Sequence, residues 1–366
     1  MENIQWLIDN GGSAIKMRMI NERLIDKDKY DINKLAEELL KIEKAKNSLG
    51  YFDQFKDFRS IPNRELYGLV HNTYENCFEP FMTLLTEIGF RSGLSVLDEK
   101  IEIMRPVYSH LMEIYPFHGI IIMLKLLKAG YFFNDIEDYV IKRLNKIHKA
   151  AKIQIFDIYE TDPSKIRQPN KWKDKLILKD EYNPYESETP LPLIYDIELV
   201  LYAYENIKDD AKQKVDDIMR YILEPDYQKT SGDYGWHWSE KEKTYHAGTP
   251  GCGLPFYNDS EFLELNSHQK YFFLTMLDKM AYSPVMLKSE WLQKCIDYLE
   301  QYKTERGTYN FPIEFIHPSN MTDFYSLYIS NDVLSKIKRN GKKSFAFELY
   351  STFFICMMKN RMELIK

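Results

Sequence analysis

Four segments in which apolar side chains occupy every side of a helix recur along this chain at a fixed interval. Leu124, Val200, Met276 and Thr352, one within each segment, follow one another at intervals of 76 positions, which is the signature of an internal repeat. A helix that is apolar all round has to be covered on all faces, so residues 111–127, 193–204, 271–280 and 345–358 are expected to form an inner layer. Between them lie helices with one wet face. Ile136, Val140, Leu144 and Ile147 share a stripe, as do Val215, Ile218, Met219 and Ile222, and again Trp291, Cys295, Tyr298, Leu299 and Tyr302, with charges opposite each stripe. Short turns at 130–134, 208–210 and 283–287 join inner helix to outer helix. Loop residues repeat as well, because Gly232, Tyr234 and Trp236 recur as Gly307, Tyr309 and Phe311.

The first 105 residues read as further helices over 6–24, 32–46, 64–88 and 94–105, broken by Gly11 and Gly12 and by the loop around Pro62. No proline-rich or low-complexity linker divides the chain. The fold expected is therefore all-α, a single domain over 1–366 in which helical hairpins close into an inner barrel sheathed by an outer one. Closure hides the all-apolar helices. An open solenoid is the competing arrangement, and it would leave a bare apolar flank on the last inner helix.

The opening WLIDNGGSAIKMRM, the outer helix CIDYLEQY running into RGTYNFP, and the closing SFAFELYSTFFICMMK together resemble the α/α-toroid superfamily of terpenoid cyclases and protein prenyltransferases. The resemblance implies a toroid. It also makes RGTYNFP a form of that superfamily's Gln-Trp repeat, with Gln301 as the glutamine and Tyr309 or Phe311 in the tryptophan's place. The chemistry of those enzymes needs more than the fold. No DxDD string is present, and the pairs Asp209–Asp210 and Asp216–Asp217 are followed by Gln213 and Arg220 where a magnesium-holding DDxxD needs an acid. Asp-x-Cys, the start of a prenyltransferase zinc site, is missing at Cys252 and Cys77.

Composition removes other classes. With 44% hydrophobic residues in 366 the chain has enough apolar side chain for a core. Its net charge of −6, with Lys and Arg dispersed, argues against gripping a nucleic-acid backbone. The first ten residues lack a secretory apolar core and no apolar run, 120–124 included, is long enough to span a bilayer, so a cytoplasmic location with no membrane span is expected. Cys77, Cys252, Cys295 and Cys356 are far apart and form no CxxC pair, which predicts reduced thiols.

Returns from outer helix to the next inner helix are long, over 151–189, 225–266 and 303–343. In a ring of hairpins these gather on one rim, and loops of that length in a compact domain are usually functional. They carry Trp172, Tyr234, Trp236, Trp238, Tyr257 and Tyr309, expected to line a ligand site, although packing the loops down is the blander role. The middle return adds His237, His246, Asp259 and Glu261. Either histidine has the intrinsic pKa of a general acid or base. The spacing of His237, His246 and Cys252 matches no common zinc pattern, so no metal is expected, and nothing points to a particular cofactor.

Inner helices begin at this rim, where their N-termini favour an anionic group. Asp196 and Glu348 sit in the first turns of two inner helices, 152 positions apart, twice the repeat. Amid apolar neighbours they are candidate acids, and complements to a helix dipole otherwise. His118, just after Pro116, is a further polar group for the cavity. Three functions stay open: an enzyme or binder of an apolar or aromatic small molecule with or without an anionic group, a carbohydrate-active toroid (glycosidase or lyase), and a non-catalytic scaffold for a protein partner.

Overall fold

A computed structural model describes residues 2–71, 76–168, 170–172, 175–183, 187–230, 233–240, 243–257, 267–315 and 328–365. The chain is predominantly helical. Its α-helices are α1 (Glu2–Asn10), α2 (Ser13–Asn21), α3 (Ile32–Leu40), α4 (Glu43–Gly50), α5 (Asn63–Val70), α6 (Phe78–Glu87), α7 (Ser95–Ile114), α8 (Pro116–Lys128), α9 (Asn134–Ile153), α10 (Ile194–Ala203), α11 (Asp209–Ile222), α12 (Pro225–Thr230), α13 (Ser267–Met280), α14 (Pro284–Leu287), α15 (Glu290–Glu300), α16 (Asn331–Leu334) and α17 (Lys342–Leu364). The expected inner helix 111–127 begins five residues later, as α8. Tyr115 precedes Pro116, is held at φ −152° and ψ 81°, and cannot continue α7 into α8.

The outer stripes are where periodicity put them. Ile136, Val140, Leu144 and Ile147 on α9 are fully buried, as are Val215, Ile218, Met219 and Ile222 on α11. Helices α10 and α17 are covered nearly all round over most of their lengths. In α13 covering is incomplete, since Phe272 is 41% exposed. No described helix is long and apolar enough to cross a membrane.

The middle return holds what the sequence reading treated as loop. Strands β1 (Asp233–Glu240) and β2 (Lys243–Pro250) pair antiparallel, with Trp236 opposite Ala247, His237 opposite His246 and Trp238 opposite Tyr245. In the sequence, aromatic residues alternate at positions 234, 236 and 238, a period of two that belongs to a strand.

The chain divides into two compact units, Met1–Tyr131 with Glu264–Ala281 and Leu287–Lys366, and Phe132–Leu263 with Tyr282–Met286. In the first, the C-terminal ends of α2, α6, α13 and α17 meet. Asn21 at the end of α2 donates to the Gly89 carbonyl just beyond α6 (2.8 Å), Asn360 of α17 donates to the Glu22 carbonyl (2.9 Å), and Arg361 joins Glu22 to Asp278 of α13. Cations in these last turns complement the carbonyl ends of the helices.

In the second unit α9 packs against both α10 and α11. The return from α9 to α10 has a core of its own, in which Ile155, Ile158, Leu178, Leu191 and Leu193 meet Ala150 with Tyr159 and Tyr182 against them. Tyrosine hydroxyls fasten the loops. Tyr221 donates to the Ile155 carbonyl, Tyr159 to that of Thr230 (2.8 Å) and Tyr257 to that of Leu223 (2.6 Å).

Candidate functional site

The turn between α1 and α2 is sewn to the third long return. Gly11 bridges Ile329, the Gly12 N–H donates to the Tyr328 carbonyl (2.8 Å) and the Ser330 N–H to the Asn10 carbonyl (2.9 Å). Gly11 allows the tight turn from α1 into α2, because a Cβ there would stand 2.5 Å from the Leu7 carbonyl oxygen and 2.7 Å from Ile15 Cγ2. Beside this seam lies a cleft of about 710 Å³, bounded by the start of α2, by the chain from Lys29 through α3 to Ile42, and by 329–332. Its size is that of a small-molecule site.

Four lysines line the cleft, Lys16, Lys29, Lys34 and Lys41, and none forms an ion pair among the described residues. Two of the three carboxylates in the lining are engaged. Asp31 caps α3 by accepting the Lys34 N–H (3.1 Å), and Glu38 accepts the Ser13 hydroxyl (2.5 Å). The N-cap of α2 is Gly12, which has no side chain to satisfy the first-turn amides. Those donors and the helix dipole add to the lysine charge. The Ser330 hydroxyl, also in the lining, is buried without a hydrogen-bond partner among the described residues, an arrangement that a bound polar ligand would relieve.

Asp196 and Glu348 are both buried, each 5% exposed, and both oxygens of each are engaged. Arg143 of α9 grips Asp196 through Nε and Nη2 at 2.6 Å each, and the Leu193 N–H donates to it at 3.0 Å, so Asp196 also closes the start of α10. Arg306 grips Glu348 through Nε (2.8 Å) and Nη2 (2.5 Å), and the Thr308 hydroxyl donates to the same carboxylate. This is the geometry of two braces. The second one, with Thr352 Oγ1 accepting the Tyr309 N–H (2.9 Å) and Ser351 Oγ the Phe311 N–H (3.0 Å), lays residues 306–311 along α17. Tyr309 is itself buried, donating to Glu300 (2.8 Å) and accepting from Lys359 (3.2 Å).

His118 stands in the first turn of α8, 8% exposed, among Tyr67, Tyr115, Phe117 and His71, with ring centroids 4.8 to 6.0 Å away. Its Nδ1 has no partner among the described residues. Burial, reinforced by His71 and opposed by Glu79, pushes the imidazole down to about 4, so it is neutral in ordinary buffers. Beside it Glu79 accepts from His71 Nδ1 (2.6 Å) and lies 3.4 Å from Lys125. Burial works against the Glu79 charge, yet the hydrogen bond from His71 and the Lys125 ammonium prevail and hold its carboxyl at about 2.

A carboxylate whose folded value lies below its unfolded one stabilises the fold above the unfolded value, and that contribution is lost as pH falls through the folded one. Glu79→Gln is therefore expected to reduce stability by about 1–3 kcal/mol at pH 6.5. The gap from wild type should shrink between pH 4.5 and pH 2. Urea midpoints for the two proteins across that range check it, and a gap independent of pH would remove the pairing as its source.

The remaining sequence candidates divide in two. Trp172 is described and buried at 7% exposed, and Tyr257 is tied by its hydroxyl as above. Asp259 and Glu261 lie outside the described residues, as do the side chains of Tyr234, Trp236, His237, Trp238 and His246; the backbone register places His237 and His246 as direct cross-strand partners. Among the described residues no group of three His, Cys, Asp or Glu could hold a metal ion. Cys77, Cys252, Cys295 and Cys356 form no disulfide with one another, and burial raises the thiol of Cys356 to about 11.

The cleft residues Ser13, Lys16 and Glu38 were not singled out by pattern, although one signal was there. Gly11-Gly12-Ser13 opening a helix, with Lys16 three positions on, places a hydroxyl and an ammonium on one face beside free amides. Compared with family models, with curated proteins and with solved structures, the chain has no match.

Proposed function

We propose that this chain binds a small molecule carrying an anionic group in the cleft at the start of α2, and that its paired helices belong to an α/α toroid of the terpenoid-cyclase and prenyltransferase kind. The observation that carries the binding reading is the set of four lysines without ion pairs around an uncapped helix start. Support for the toroid comes from the 76-residue recurrence of covered helices and from the meeting of C-terminal ends in the first unit. An apolar part of the ligand would lie against Leu35, Leu39, Ile42 and Ile329, which share the lining.

Inorganic pyrophosphate and farnesyl diphosphate test the two halves of this reading. Both should raise the thermal midpoint, the prenyl compound at lower concentration, and both effects should weaken with salt. Reversing charge in Lys16→Glu with Lys34→Glu should weaken binding by about tenfold or more, a loss of about 1.4 kcal/mol. Binding that survives the double reversal unchanged places the anion elsewhere and overturns the reading.

A further inference from the structure

We infer that Ser13 is a nucleophile for ester cleavage, with Glu38 as its base and the Ser13 amide at the start of α2 as the oxyanion donor. This rests on the cleft being the ligand site, and it names the class of compound the cleft would act on: an ester whose acyl or alcohol part carries a negative charge.

Three conditions for such a site are met by separate elements. A nucleophile has to be within hydrogen-bond reach of a base, and Ser13 Oγ donates to Glu38 Oε2 at 2.5 Å across the gap between α2 and α3. Charge developing on a carbonyl oxygen needs fixed donors. Ser13 is the first residue of α2, Gly12 offers no capping side chain, and the Lys16 N–H is the first to find a backbone acceptor, the Gly12 carbonyl. The amides of Ser13, Ala14 and Ile15 thus have no backbone acceptor among the described residues; Ala14 and Ile15 are fully buried and lie outside the lining, while Ser13 lines the cleft, so the Ser13 N–H is the donor a substrate can meet.

Substrate has to reach these groups, and Ser13, Glu38 and Lys16 all line the open cleft. Lys16 follows Ser13 by three positions and so shares its face of the helix. With Lys34 and Lys41 across the cleft it selects the charged ester and holds it against the hydroxyl. A simple brace between α2 and α3 would need the hydrogen bond alone, and neither the volume, the unpaired lysines nor the unpartnered Ser330 hydroxyl.

The reaction balances with water as the only co-reactant. Ser13 Oγ bonds to the carbonyl carbon while its proton passes to Glu38. The bond from that carbon to the leaving alcohol then breaks, and the alcohol takes the proton from Glu38. Water adds to the acyl-Ser13 ester, gives its proton to Glu38, and the carbon–Oγ bond breaks with return of that proton to Ser13, releasing the acid.

The test uses the full chain with a fluorophosphonate, which forms a bond between Ser13 Oγ and phosphorus as fluoride leaves. One phosphonyl group per chain is expected, on the peptide that contains Ser13. Ser13→Ala should remove it, and Glu38→Gln should slow it by about 10²–10⁴-fold with an unaltered far-UV spectrum. Hydrolysis of 4-nitrophenyl hemisuccinate should exceed that of 4-nitrophenyl acetate, and Lys16→Met should abolish that preference through KM. No adduct on the folded protein, or an adduct on another residue, overturns the nucleophile. If pyrophosphate still stabilises the protein in that case, the cleft remains a binding site, whereas loss of both effects removes the two readings together.

Discussion

Asp196→Ala is expected to destabilise the fold by about 3–5 kcal/mol, the range for breaking a buried ion pair by removing one partner. Asp196 is 5% exposed and the Arg143 side chain 13%. The substitution deprives a buried guanidinium of both oxygens of its carboxylate and leaves the Leu193 N–H at the start of α10 without its acceptor. Asp196→Asn keeps an oxygen for that N–H and loses the charge, so an intermediate loss of about 2 kcal/mol is expected. Removing both partners, as Asp196→Leu with Arg143→Met, should recover much of the difference, because two apolar side chains leave no charge stranded. Chemical denaturation of the four proteins measures the series. A loss below 1 kcal/mol for the alanine variant would show that the brace is dispensable, and Asp196 would return to consideration as an available acid.

The same residue shows what a sequence can and cannot disclose. Repeat arithmetic located Asp196 and Glu348 near the starts of two helices; Asp196 does sit in the first turn of α10, whereas Glu348 lies one turn further into α17, which begins at Lys342. Their arginines are not equivalent. Arg143 comes from α9 and Arg306 from the loop beyond α15, 53 and 42 positions away from their carboxylates. Pairing of that kind is tertiary, and no local period announces it.

Helix existence was legible because covered and half-covered helices have different apolar patterns. Where α7 ends was legible too, in Pro116, but the apolar run across 111–127 masked it. The hairpin went unread for the opposite reason. Its glycines at 235, 248 and 251 and its proline at 250 signal a loop, while the aromatic alternation at 234, 236 and 238 signals a strand, and backbone pairing decided for the strand. Ser13 and Glu38 are 25 positions apart on separate helices, and only the crossing of α2 and α3 joins them.

Arg361→Leu is the second large effect. Arg361, 11% exposed in its side chain, donates through Nε and Nη2 to Glu22 (2.8 and 2.7 Å) and through Nη1 to Asp278 (3.1 Å), so one guanidinium holds the ends of α2, α13 and α17 together. Burial raises the Asp278 carboxyl, but the charges of Arg361, Lys128 and Arg18 outweigh it and keep the group ionised well below the usual carboxylate range. Without Arg361 two largely covered carboxylates face each other near helix carbonyl ends, where negative charge is disfavoured.

A loss of about 3–5 kcal/mol is expected for leucine, and a smaller one, about 1–2 kcal/mol, for Arg361→Lys, which restores charge but not the fork that reaches Glu22 and Asp278 at once. Since the Asp278 value is depressed, the leucine penalty should be fully present at neutral pH and diminish as acid protonates Asp278. Urea midpoints at pH 7 and pH 3.5 read both effects. Equal stability of the lysine and arginine proteins would mean that charge alone holds this end of the helices. A leucine penalty unchanged by acid would mean that packing does. The start of α2 lies only about 13 Å from its far end, so loosening this junction should also weaken pyrophosphate binding at the cleft. A charge reversal at Lys16 should reduce binding with no comparable loss of stability, and this asymmetry separates the group that holds the helices from those that meet the ligand.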